Sequence, residues 1–142
     1  LAEEDVFITN IVKFRPPENR DPTPQEIEYF KPFLDKQIEI IGPEIIVTLG
    51  RFSMYKFLGE GVGISRIHGQ VHPITWQGKS VTIFPMFHPA AALRDPSTMR
   101  AFKEDFLKLK EILKPQASAE GGQVQDGIKK LSIQNIKQLE LI

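Results

Sequence analysis

Residues 6–20 read VFITNIVKFRPPENR, and this stretch decides the fold. Val6, Phe7, Ile8, Ile11 and Val12 are β-branched or aromatic and nearly continuous. That is the composition of a strand covered on both faces, as in a parallel sheet. Thr9 and Asn10 interrupt the run near its carboxyl end, where open α/β sheets bind ligands. An amide both donates and accepts, so Asn10 is suited to read the edge of a planar ligand. Pro16 and Pro17 hold the backbone extended and stop the strand. Lys13, Arg15 and Arg20 surround them. An amide followed by three cations points to a polar ring system attached to phosphate.

Downstream, Thr23, Pro24 and Glu26 form a helix start: an N-cap, a first-turn proline and a capping-box acid. Ile27, Phe30, Leu34, Ile38 and Ile41 then recur at helical spacing until Gly42-Pro43 ends the pattern. Residues 44–50, EIIVTLG, read as a second buried strand, and 51–58 as a short helix. The glycine-rich stretch 59–69 reads as loop and holds Arg66 and His68. Two strand-like runs, 70–76 and 80–87, flank Gln77-Gly78-Lys79 and predict a hairpin. The second run ends in His88-Pro89. A helical turn is expected over 90–94, broken by Asp95-Pro96, and a helix over 99–113 with Phe102, Phe106, Leu109 and Leu113 on one stripe. Strands alternating with helices predict an α/β sandwich with a mainly parallel sheet. Three strand ends, at Asn10, Gly50 and His88, are expected to converge on one rim.

Composition narrows the chemistry. The 142 residues suffice for one domain with a core, and 41% hydrophobic residues argue against a wholly disordered chain. No apolar run approaches the roughly 20 residues of a membrane span. No signal-peptide pattern opens the chain, so a cytoplasmic location is the expectation. Eighteen Lys and Arg balance eighteen Asp and Glu. Any nucleic-acid contact must therefore come from local clusters such as Lys13, Arg15 and Arg20. The absence of cysteine excludes disulfides, thiolate nucleophiles and cysteine-held clusters on these residues. The chain has no initiator Met and enters its first apolar run within six residues, so an N-terminal part of the natural protein is expected to be missing.

Three segments, VFITNIVKFRPPENRDPTPQEI, PEIIVTLGR and FHPAAALR, in this order and at these separations, resemble the family 4 uracil-DNA glycosylases. The similarity runs from about Val6 to Leu113. It implies a three-layer α/β/α sandwich around a parallel sheet, with the first strand apparently missing here. It also implies a DNA-repair hydrolase that flips uracil out of DNA and cleaves its N-glycosidic bond. By the resemblance, Asn10 reads the uracil edge and His88 stabilises charge on the leaving base. Residues 90–94 match the loop that meets DNA around the flipped nucleotide. The chemistry is consistent: an asparagine amide matches uracil N3–H and O4, and a histidine aimed at O2 offsets the charge of a departing anion. Lys13, Arg15, Arg20 and Arg94 are the candidate phosphate contacts, which position without specifying sequence.

Two departures stand out. The family usually carries a four-cysteine iron-sulfur cluster, and two of its cysteines fall at Phe14 and Phe30, so no metal or cofactor is expected and an aromatic contact is expected in its place. The family's first motif, a GEAPG-type loop supplying the acidic, water-handling part of the site, has no match before Val6; Glu3, Glu4 and Asp5 stand in another context. An incomplete site is therefore expected for this chain alone.

The resulting expectations are a partial glycosylase-like domain over 1–114, a linker over 115–127 and an amphipathic tail over 128–142. The partner is uracil-containing DNA and the protein is a monomer. The alternative is a catalytically inactive uracil- or DNA-binding paralogue. A third reading is an unrelated α/β domain whose tail docks to a partner. Residue by residue, bland readings stand beside the sharp ones. Asn10 is a turn cap or a ligand reader, and the RPPENR that follows favours the second. His68 and His72 lack metal spacing and read as structural or surface, while Tyr55 and Trp76 are base-stacking rings or packing residues, and packing is the safer reading.

Overall fold

The computed structural model describes residues 5–114. The 115–127 linker and the 128–142 tail lie outside the described residues. A 3-10 turn at Pro17–Asn19 precedes helix α1, Pro24–Ile41. Strand β1, Ile45–Leu49, leads into α2, Arg51–Leu58, and the short α3, Ile64–Ile67. Strands β2, His72–Trp76, and β3, Lys79–Met86, follow, then the single turn α4, Pro89–Ala92, and α5, Pro96–Ile112.

The start of α1 forms as its sequence dictates. The Thr23 hydroxyl accepts from the Glu26 N–H while the Glu26 carboxylate accepts from the Thr23 N–H, satisfying two orphan donors at once. Gly42 ends the helix at φ 57°, a conformation that costs glycine nothing. The expected hairpin is present: Gln77 and Gly78 both take positive φ, the two-residue turn whose twist matches the flanking strands. Asp95-Pro96 ends the helical turn as expected, and it also opens α5 three residues before the expected start at 99. Asp95 caps α5 by accepting from the Thr98 N–H, and Pro96 occupies its first turn, where a missing N–H is harmless.

The sheet is three-stranded, ordered β1-β3-β2. β1 pairs with β3 in parallel, with Val47 opposite Phe84. β2 pairs with β3 antiparallel, with Ile74 opposite Val81. The sheet is therefore mixed rather than mainly parallel, because a two-residue connection can only join antiparallel strands. β3 is its centre: Val81, Ile83, Phe84, Pro85 and Met86 are all buried. Successive strand residues point to opposite faces, so both faces of β3 are covered, as a layered α/β sandwich requires. On one face Phe84 and Met86 pack with Leu109 of α5, joined by Val47 and Phe102.

Residues 6–12 overturn the opening expectation, because they form no strand. Val6, Phe7 and Ile8 are 42%, 52% and 79% exposed. A strand exists only through a ladder partner. This segment has none among the described residues, and its polar groups fasten to α1. The Thr9 hydroxyl donates to the Gln37 side-chain oxygen at 3.1 Å. Among the described residues, no helix is long and apolar enough to cross a membrane.

Candidate active site

The carboxyl ends of β1 and β3 build the site. Gly50 leaves β1 at φ 87° and ψ 178° and its N–H donates to the Met86 carbonyl at 2.8 Å. A Cβ at residue 50 would lie 3.0 Å from the His88 Cβ. Gly50 and His88 thus meet at the rim as expected, and the glycine is required both by its backbone conformation and by this approach.

His88 is exposed and stands at the N-cap of α4. Its Nδ1 accepts from the Ala90 N–H at 3.1 Å. A ring nitrogen that accepts carries no proton, so the neutral ring is the Nε2–H tautomer, assigned here from its hydrogen bond. Its one N–H is then the nitrogen remote from the turn. Just after the α4 turn, Leu93 is 78% exposed beside exposed Arg94. Leu93 was not singled out in the sequence. An apolar residue set between small alanines and an Asp-Pro helix start was the available signal.

Asn10 lies exposed on the loop 6–20, which hydrogen bonds tie to α1. Its backbone carbonyl accepts from Lys13 Nζ at 2.9 Å. Lys13 also donates to Thr9 and to Gln37. An ammonium has three protons, and here three acceptors meet them. Partial burial, and then the nearby charge of Lys56 on α2, depress the Lys13 pKa. Lys56 is itself paired with Asp35 of α1. Arg20 is bidentate to Glu26, at 2.7 and 2.8 Å, and donates to the Asp21 carbonyl. This pairing raises its pKa and, with the Thr23 N–H, holds Glu26 down to about 2. Arg15 donates to Asn19 at 2.7 Å. Of the four candidate phosphate cations, Lys13 and Arg20 thus fasten the loop, Arg15 has one internal partner, and Arg94 stands at the rim turn. Arg51, outside the four candidate phosphate cations, pairs with Asp21 and lies 4.8 Å over the Phe52 ring.

Phe14 and Phe30 meet with ring centroids 5.7 Å apart, and Tyr29 and Phe33 extend the contact along α1. The two positions where the resemblance places cluster cysteines are therefore neighbours, but hydrocarbon rings cannot ligate iron. These residues do not fit an iron-sulfur cluster, and the aromatic contact expected in its place is present. Among the described residues, no group of three or more His, Cys, Asp or Glu is arranged to hold a metal ion. His72 sits on β2 opposite Ile83. Trp76 packs on Phe57.

A histidine-proline turn leaving the central strand beside a glycine stands where open α/β sheets bind ligands, outside the carboxyl ends of the strands. Comparison with known sequences sharpens this class. A family model described as the uracil DNA glycosylase superfamily matches residues 1–114, and the chain belongs to that superfamily. It is 45% identical over 116 residues to a type-4 uracil-DNA glycosylase of Sulfurisphaera tokodaii, covering 79% of this chain and 53% of that protein. It is 42% identical over 116 residues to the type-4 uracil-DNA glycosylase of Archaeoglobus fulgidus, covering 79% of this chain and 58% of the relative. A DNA polymerase of Bacillus phage SP01 is 39% identical over 111 residues, which is 78% of this chain and 11% of the polymerase. The chain spans about half the length of the curated glycosylases it matches.

Proposed function

We propose that this chain carries the base-expelling half of a uracil-DNA glycosylase, which releases uracil from DNA by hydrolysing its N-glycosidic bond. The observation that carries the reading is His88, in a chain of this superfamily, held by Ala90 as a neutral Nε2–H donor at the rim. The C1′–N1 bond breaks and its electron pair stays on uracil; the oxygen of water bonds to C1′ as one of its O–H bonds breaks, and that proton passes through solvent to the uracil anion. The charge grows on the ring oxygens as the base departs. A fixed N–H near O2 stabilises that charge more than it stabilises the intact nucleotide, so it lowers the barrier. Because Nδ1 is already engaged, the ring cannot turn to present its lone pair without losing the Ala90 bond.

Asn10 is the proposed reader of uracil N3–H and O4, since an amide offers an acceptor and a donor side by side. Uracil-containing DNA is the proposed substrate, met outside the stack. Arg94 and Arg15 are the foremost proposed phosphate contacts, with Lys13 and Arg20 shaping the loop that carries Asn10. Leu93 has the chemistry of a wedge that enters an opened base step. No step is assigned to an iron-sulfur cluster.

One observation favours the second reading, a binding paralogue without turnover: the loop bearing Asn10 lies outside the sheet. The test is chromatographic detection of free base from oligonucleotides carrying uracil, thymine or cytosine, using the full-length protein as its host makes it. Free uracil alone is the expected product. Oligonucleotide binding with no base released would establish the binding paralogue instead.

A further inference from the structure

A second histidine packs on Phe87, the residue before His88. His68 Nδ1 is 2.7 Å from Asp105 Oδ2. A carboxylate only accepts, so Nδ1–H donates and the ring's orientation is fixed. The Asp105 side chain is fully buried in α5, and Lys108 Nζ stands 3.4 Å from its other oxygen. On its free face the His68 ring lies 4.5 Å from the Phe87 ring, centroid to centroid. Phe87 immediately precedes His88. The adjacent Gly69 has φ +67° and donates to the Pro85 carbonyl at 2.8 Å. A Cβ there would overlap the Asp105 carboxylate.

We infer that the His68–Asp105 pair is a positioning device for His88, acting through Phe87. The proposal rests on the reading of His88 given above. β3 leaves the sheet held by two backbone bonds, Gly50 to Met86 on one side and Gly69 to Pro85 on the other. Past Met86 the strand has no ladder, and the next side chain, Phe87, is held against the His68 ring. That ring can serve as a fixed wall only while Asp105 prevents its rotation. Burying a carboxylate is costly, and apolar side chains of similar volume commonly serve stability as well or better. The fit of Asp105 against Gly69 further leaves the carboxylate little room to move. A site whose donor must sit at one depth gains from such a support behind it.

The test compares three variants by steady-state kinetics, melting and the imidazole 15N shifts of His88. His68→Asn keeps a donor on the buried carboxylate and removes the ring under Phe87. It is expected to keep its fold, lose at least tenfold in kcat with KM changed less than twofold, and shift the His88 resonances. Asp105→Asn keeps an oxygen on Nδ1–H and is expected to stay within threefold of the parent. Phe87→Leu removes the same ring contact from the other side, leaves the pair intact, and gives the decisive reading where His68→Asn does not fold. Parent kcat and unmoved His88 resonances in the folded ring-deleting variant would overturn the proposal. If the parent releases no uracil, that failure belongs to the glycosylase reading, and the His88 resonances alone decide the positioning role.

Discussion

Gly50 and His88 follow different strands, yet a single methyl group on the first would press on the second at 3.0 Å. The backbone of Gly50 at φ 87° and ψ 178° is also one that essentially only glycine adopts. Gly50→Ala is therefore expected to destabilise by about 1–3 kcal/mol. It is also expected to slow uracil release by more than the loss of folded protein explains, because His88 must give way. Chemical denaturation and single-turnover kinetics on the same sample separate the two. Parent kinetics in the folded variant would show that the approach is incidental.

The contact between Phe14 and Phe30, with centroids 5.7 Å apart, is expected to couple energetically. In a double-mutant cycle with Ala at each position, the coupling should be about 0.5–1.5 kcal/mol, the range of aromatic pairs beyond their area burial. Strict additivity would mean that the rings merely lie near one another.

Arg94 and Arg20 are expected to part company in DNA binding. Arg94→Ala should weaken binding across sequences and reduce the salt slope by about 1, as loss of one phosphate contact does. Arg20→Ala, whose guanidinium is occupied by Glu26, should leave the salt slope unchanged. Titrations at several salt concentrations check this, and an equal loss in both variants would return Arg20 to the DNA interface.

Acid should loosen the fold through two caps. The hydrogen bond from Arg20, with the Thr23 N–H, holds Glu26 at about 2 against an ordinary 4.5. The Ser97 hydroxyl, with Thr98, holds Asp95 at about 2 against 3.8. Both are depressed on folding, so their contribution is present above the ordinary values and is lost as pH falls towards 2. Melting temperature is expected to fall across that window, and less steeply for Glu26→Gln, whose charge is already absent. An identical acid slope in that variant would remove Glu26 from the account.

Local signals made much of this legible. The capping box at Thr23, the helical stripe of α1 and the hairpin around Gln77-Gly78 are short-range patterns, and each formed where expected. The histidine-proline turn after β3 was equally readable. What failed required information from elsewhere in the fold. Residues 6–12 have a strand's composition, but a ladder partner is a property of the neighbour. Asp95-Pro96 stops one helical turn and starts the next helix, and only the cap geometry distinguishes these. His68 read as structural or surface because its partner is 37 residues away. A signal existed: Asp105 falls on the stripe of Phe102 and Leu109, where a charge is expected only if something meets it.

The most direct test of the central claim is the single-turnover rate of uracil release by the full-length parent and by His88→Ala, on one uracil-containing oligonucleotide at saturating protein. Removing the one fixed donor is expected to slow release by about 10²–10³-fold, the cost of losing such a donor elsewhere, while oligonucleotide binding stays within a few-fold. Equal rates in the two proteins would contradict the assignment of His88 as the group that stabilises the departing base.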